Sequence, residues 1–537
     1  MKSMTPLRVR PATLACIALT LCGLPSVAYS QGSMELYYAE SGRRALLNPH
    51  ANAVASAPTD RLLSLVYEPL YRLNLDTEQF ENVLAAKAPQ PAQATRGGTA
   101  FTIDLKKGVR WHDGSAFTAA DVVFTFNFIQ KFGKNKEDRA ALQRWILRLD
   151  QDPKNAYQLR VEVAPGVQAQ WALSFLVIPA GRFAADMQPL TPSLVDKPIG
   201  TGPYKWDGED SGEPRLVVNT AHHDPLKGAL TPIVSKEYTD APTVAVELIN
   251  QGSRLGLIPD LPTSQFGTVE ANSNVVEMER LASYKIHALA IRQQPGTSSL
   301  MNNPKVREAL VMAIDRNKML KTRFSDRGKV MSTPYSPNTV YADAGFEGIP
   351  FDLERAKKMI AEAGGKGSRL RLLARRTTSI NKQRDDDLLA DLREQLAAVG
   401  FNVVVTQVPP DEYDRLKYGT ANTWDVALVT QEFDPNHDIS WLYHSRSIRD
   451  GGANYMKFSN PQVDGLFNRA EQETDAAARL EYLRQAGVLI GRLVPAVFLV
   501  NEEPVYAYKR RFEIDKSDVH QFNFFTYANR WRLKARR

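Results

Sequence analysis

A multidomain α/β fold is what this 537-residue chain predicts, and three observations carry the prediction. Alternating strand patterns and helical patterns both occur and interleave along the chain. At residues 385–408 an acid-led helix runs straight into a β-branched strand, the arrangement that builds partly parallel sheets. At roughly 100–200 residues per domain, the length asks for about three domains. With 43% hydrophobic and 24% charged residues, the composition is that of an ordinary globular chain, which excludes a disordered or fibrous protein.

The first thirty residues are set apart from that fold. Lys2, Arg8 and Arg10 precede an apolar run from Ala12 to Leu24, and small residues follow at Ser26, Ala28 and Ser30. This is the pattern of a secretory signal peptide, with cleavage after Ala28 or after Ser30. Cys16 and Cys22 both fall inside it, so the remainder has no disulfide or thiol chemistry. Cys22 raises a lipid-anchored form as the alternative, but the bulky Leu21 before it argues against lipoprotein processing. Removing the three cations of this segment takes the formal charge from +7 to +4, too small an excess to name a partner. The basic end "RWRLKARR" has no basic stripe with interleaved aromatics beside it, so no nucleic acid is expected. No later stretch is long and apolar enough for a membrane helix. The expectation is a soluble periplasmic protein.

The elements follow in order. "TAFTIDL" (99–105) alternates Phe101, Ile103 and Leu105 with polar neighbours, a half-buried strand. Lys107-Gly108 breaks it and "VRW" begins a second short strand. Thr118 with Asp121 three residues on forms a capping box for a helix carrying Val122, Val123, Phe126 and Ile129. Residues 205–300 are rich in Gly, Pro and polar residues, with strand-like runs "RLVVN" and "TVAVELI". Asn303 and Pro304 cap and open a helix, and Asp352 starts another that Gly364 ends. "DDDLLADLREQLAAVG" (385–400) is a third, followed by "FNVVVTQV" and by "WDVALVT" as its neighbouring strand.

An enzyme should show a recognisable constellation, and none is found: no G-x-S-x-G, no H-E-x-x-H, no phosphate-binding loop. "GTGPYKW" (200–206) starts like a dinucleotide loop, but Pro203 and a missing third glycine leave a tight turn. His112 and Asp113 are placed in a turn rather than a catalytic pair, with Asp113 bonding local amides and Gly114 in an unusual backbone conformation. His222, His223 and Asp224 offer ligand chemistry, yet adjacent residues on an extended chain point apart, so no metal site is expected there. His437, His444 and Asp434 form a looser set.

Several stretches then line up in order: "LVYEPLYRLN" (65–74), "FTIDLKKGVRWHDGSAFTAADVVFTFNFI" (101–129), "PIGTGPYKW" (198–206), "NPKVREALVMAIDRNKML" (303–320), "FDLERAKKMIAEAG" (351–364), "LREQLAAVGFNVVV" (392–405) and "NYMKFSNPQVDGLF" (454–467). Together they resemble the peptide and nickel class of extracellular solute-binding proteins that serve ABC importers. The resemblance implies a two-lobed periplasmic-binding-protein fold (type II, cluster C-like) with an extra domain inserted in the first lobe. Lobe I would combine 31–65, 196–285 and 503–537, the inserted subdomain 66–195, and lobe II 286–502. It implies a monomer without cofactor or catalytic residue. Such a monomer closes on a peptide or peptide-like solute and delivers it to an inner-membrane ABC permease with its ATPase subunits.

Two places bear on the ligand. Relatives carry an acid shortly after a motif matching "NPH" (48–50), where this chain has only uncharged residues from Ala51 to Ala57. Peptide binders also carry an Asp where "LVTQEFDPNHD" (428–438) has Gln431, an amide that accepts a hydrogen bond but cannot neutralise an ammonium ion. The expected ligand-binding set is the backbone of Ala53, Val54 and Ala55 and of Leu428, Val429 and Thr430. Gln431, Glu432 and Asp434 would be polar anchors, and Phe433, Trp441 and Tyr443 apolar walls. Binding of nickel or a metal chelate, haem, an opine or an oligosaccharide is the alternative within the class. A secreted hydrolase and a sensor that presents its ligand to a membrane receptor are the alternatives outside it.

Overall fold

Two large mixed sheets and a smaller antiparallel one organise the chain in the computed structural model. It describes residues 34–535 except 42–45, 52–56, 75–76, 78, 135, 184–196, 211, 225–227, 295, 298, 378–380, 433–438, 449–451, 474 and 521–523. The signal-like segment and both cysteines lie outside the described residues.

The seven-stranded sheet runs Val276–Arg280, Val505–Lys509, Leu255–Ile258, Leu36–Ser41, Ile233–Tyr238, Glu213–Val218, Tyr204–Asp210. Its three central strands are parallel and the flanking ones antiparallel. Leu36–Ser41 is buried along nearly its whole length, as a central strand covered on both faces requires.

The six-stranded sheet runs Gly328–Val330, Ala496–Glu502, Lys285–Ile291, Val426–Glu432, Arg369–Arg375, Asn402–Val408. The helix Lys382–Ala398 links its last two strands, which pair in parallel, and it packs Leu388, Leu392 and Leu396 inward. The sequence makes "WDVALVT" the neighbour of "FNVVVTQV", but Arg369–Arg375 stands between them, pairing with both. Its charged ends hid it: only Leu370, Leu372, Leu373 and Ala374 of "RLRLLAR" are apolar, and all four are buried.

The four-stranded sheet, Gln90–Ala92, Thr99–Asp104, Asn155–Val163, Ile146–Asp152, is wholly antiparallel. The helix Ala119–Phe132 covers it, and its capping box is formed, the Thr118 amide donating to Asp121 Oδ2 at 2.8 Å. "VRW" is not a strand; a single bridge between Arg110 and Ala116 closes the turn instead. "TVAVELI" is also corrected, to the helix Ala241–Ile249. Asp240 accepts the Thr243 amide as N-cap and Pro242 sits in the first turn, while Val244, Ala245 and Leu248 share one buried face. Cap and burial pattern outweigh the β-branched composition.

The His112-Asp113 turn and the "GTGPY" turn meet in space. Asp113 accepts the Ser115 amide at 3.0 Å, and Gly114 has φ of 88°. The amide of His112 donates to the Gly200 carbonyl at 2.9 Å. A Cβ on Gly200 would lie 1.7 Å from the Val66 carbonyl oxygen, so only glycine lets that backbone approach.

The chain crosses between the two large sheets at 281–284 and again at 503–504. The Leu281 amide donates to the Pro504 carbonyl at 2.8 Å, and Asn501 donates to the carbonyls of Ser283 and Lys285 at 2.9 and 3.0 Å. The two crossings are therefore tied side by side.

Candidate functional site

In open α/β sheets the carboxyl ends of parallel strands leave room for a ligand. Here those ends place Glu40, Ser41 and Tyr238, with Asp260 just past Ile258, around a small pocket. Arg61 reaches it from the helix Ala57–Val66. A neighbouring small pocket shares Asp260 and is lined by Phe324, Arg327, Arg384 and Glu502 of the other side. Residues that follow the first sheet and residues of the second thus enclose one charged cleft beside the crossings.

Glu40 is 3% exposed, and its Oε2 accepts Arg61 Nη1 at 2.6 Å. Its Oε1 has no hydrogen-bond partner among the described residues. Burial pushes the carboxyl up to about 7, against the pull of Arg61, and the negative Asp260 adds to the rise. A group this close to neutrality gains from any cationic donor that enters.

On the other side, Glu502 joins three elements. Its Oε1 is paired with Arg384, and its Oε2 lies 2.8 Å from His287 Nε2. His287 Nδ1 is 3.3 Å from Thr430 Oγ1. Burial favours a neutral Glu502, but Arg384 and the His287 bond outweigh it and hold the carboxyl well below its ordinary range. Asp260 also acts on Arg384 electrostatically, so charge is coupled across the cleft.

Among the residues predicted to line a site, Ala53, Val54, Ala55, Phe433 and Asp434 lie outside the described residues, as does His437. Thr430 is exposed and reaches the Glu502 cluster through His287. Strand alternation sends Leu428 against one core cluster and Val429 into another. Glu432 ends the strand opposite Lys285. Gln431 is buried at 5% exposure: Tyr443 donates to its Oε1 at 2.9 Å and its Nε2 donates to Tyr455 at 3.3 Å. Trp441 packs, partly buried, on the same cluster. His444 is held by Asn468 and Asp464. The structure therefore gathers Gln431, Tyr443 and Trp441 into one cluster and Thr430 into another.

His222 and His223 do not point apart as strand alternation suggests. Both rings turn to Glu68, with Nε2 atoms 3.1 Å from its two oxygens. The alternation argument assumed an extended chain, whereas these residues follow a turn in which the His222 amide bonds the Asn219 carbonyl.

Sequence reasoning missed Glu40, Asp260, Arg61, Arg384 and Glu502. Two of them carry a readable signal: Glu40 and Glu502 are carboxylates near or at the end of an otherwise apolar buried strand. Such a placement is costly unless the charge is used or paired.

Residues 80–450 match the family described as bacterial extracellular solute-binding proteins, family 5, middle region. The dipeptide-binding protein of Escherichia coli (strain K12) is 24% identical, covering 95% of this chain and 96% of that protein. Two solved structures share the fold. The oligopeptide-binding protein AppA from Bacillus subtilis, in complex with a nonapeptide, matches with TM-score 0.77 and 21% identity over 93% of this chain and 99% of that one. NikZ from Campylobacter jejuni, in complex with Ni(L-His), matches with TM-score 0.74 and 19% identity over 93% and 100%.

Proposed function

This chain belongs to the bacterial extracellular solute-binding proteins, family 5, and from that membership we propose that it captures a short peptide or peptide-like solute in the charged cleft. It hands the solute to an ABC permease with its ATPase subunits. The observation that carries the ligand class is Glu40, a buried carboxylate with one oxygen paired to Arg61 and the other unshared, at the mouth of the parallel strands. A peptide's free ammonium group supplies the missing donor. In this reading Glu40 takes over from the acid absent at Gln431.

The sheets support two lobes joined by the paired crossings at 281–284 and 503–504, with the four-stranded sheet and its helix as the inserted subdomain within 66–195. Closure about those crossings brings Asp260 and Arg384 together over the ligand. The chain acts as a monomeric binder without catalysis, outside the inner membrane; no helix among the described residues is long and apolar enough to cross a membrane.

The test is a thermal-shift screen of the protein freed of its signal segment against di- to hexapeptides, with mass spectrometry of co-purified ligand. Peptides should stabilise it. Glu40→Gln should weaken binding of peptides with a free amino terminus by about tenfold or more and leave N-acetylated ones unaffected. No shift with any peptide, alongside a clear one with a sugar, an opine or a metal chelate, would overturn the peptide reading.

A further inference from the structure

Away from the cleft, Glu68, His222 and His223 converge from distant parts of the sequence. Glu68 lies between the helix Ala57–Val66 and the strand Tyr71–Asn74, and the histidines lie in the loop after Glu213–Val218. The side chains of Glu68, His222 and His223 are 4%, 6% and 11% exposed. Their ligand atoms all fall within 4.8 Å of one another. The mechanism of solute capture uses none of them.

The imidazole nitrogens of the cluster face the carboxylate directly. His222 Nδ1 lies 2.9 Å from the Asp224 carbonyl oxygen and 3.2 Å from the Asp224 amide nitrogen. Its Nε2 faces a carboxylate oxygen of Glu68 at 3.1 Å. His223 Nε2 sits 3.1 and 3.3 Å from the two oxygens of the same carboxylate. The two imidazole rings lie at a centroid separation of 4.1 Å. One dication satisfies all three groups at once.

We propose that Glu68, His222 and His223 bind a divalent first-row transition ion, with Zn²⁺ as the probe, which clips the Glu68 segment to the 219–224 loop. Two imidazoles and a carboxylate are a donor set suited to such ions. Metal–ligand distances of ~2.0–2.2 Å set tetrahedral donors roughly 3.3–3.6 Å apart, a few tenths of an ångström beyond the 3.1 Å that separates each histidine from Glu68. The bond from His222 Nδ1 to the Asp224 carbonyl is the outer contact that fixes a metal-binding tautomer. A fourth position remains for water or a further oxygen.

The experiment is equilibrium dialysis of the full chain without its signal segment or any histidine tag against Zn²⁺, with metal counted by mass spectrometry. We expect one equivalent bound, and a rise in Tm that a chelator reverses. His223→Asn, the variant at the least buried ligand, should weaken binding by about tenfold or more, whereas Glu40→Gln in the cleft should not. X-ray absorption of the zinc-loaded wild type, which needs no variant, should show two imidazoles in an oxygen and nitrogen shell. No zinc retained by folded wild type, or an equivalent that survives His223→Asn unchanged, would overturn the site.

Discussion

His112 donates from Nε2 to the carbonyl of Gly202 at 2.9 Å, and its Nδ1 accepts the Gly200 amide at 3.2 Å. The imidazole is thereby fixed neutral and in one tautomer, joining two turns that lie ninety residues apart in sequence. Its role is structural, and it sets the first expectation.

Burial pushes His112 down to about 4, against the pull of the Gly202 carbonyl, from an ordinary 6.5. His50, on the Leu176 carbonyl, is also pushed down to about 4. At these two groups the unfolded chain binds more protons than the folded one between about 4 and 6.5, so their contribution to stability is complete above 6.5 and is lost as pH drops toward 4, while the raised Glu40 carboxyl acts with the opposite sign. Each histidine contributes at most about 3 kcal/mol to that loss. Urea unfolding at a series of pH values should show the wild type losing more stability on acidification through this window than His112→Gln does. The same pH slope in His112→Gln as in the wild type would contradict the assignment.

Gly200→Ala should destabilise strongly, by about 3 kcal/mol or more, because the new Cβ meets the Val66 carbonyl oxygen at 1.7 Å. Gly114→Ala, in open space, carries only the strain of its positive φ and should cost about 1–2 kcal/mol. Denaturant midpoints of the two variants check the order.

Arg384→Met removes the partner that holds Glu502 ionised while His287 remains against it. Leaving that carboxylate buried and under-compensated should cost about 3–5 kcal/mol. The double variant Arg384→Met with Glu502→Gln should recover part of the loss, a coupling that a double-mutant cycle measures directly.

Tyr443→Phe leaves Gln431 Oε1 without the donor it has at 2.9 Å and should cost about 1–3 kcal/mol. If the pair serves packing alone, ligand affinity in the same variant stays at the wild-type value. A titration with the identified ligand separates the two roles.

Asp240→Ala should lower stability by about 1 kcal/mol through loss of the cap on Ala241–Ile249. The same change in a strand end would be close to neutral, so thermal unfolding distinguishes the observed helix from the strand-like reading of "TVAVELI".

The sequence by itself determined the α/β class, the capped helices and the family. Those properties are written in local chemistry: the Thr118–Asp121 box, the Asn303 cap and Asp352 each act within three or four residues. Only the tertiary structure decided what the charged residues do. Glu40 and Asp260 share a cavity because parallel strands end together, and Arg384 meets Glu502 across 118 residues. His222 and His223 looked unable to share a partner by strand geometry, and a turn brought both onto Glu68. Such meetings depend on sheet order and on where loops fold back. Neither leaves a periodic trace along the chain.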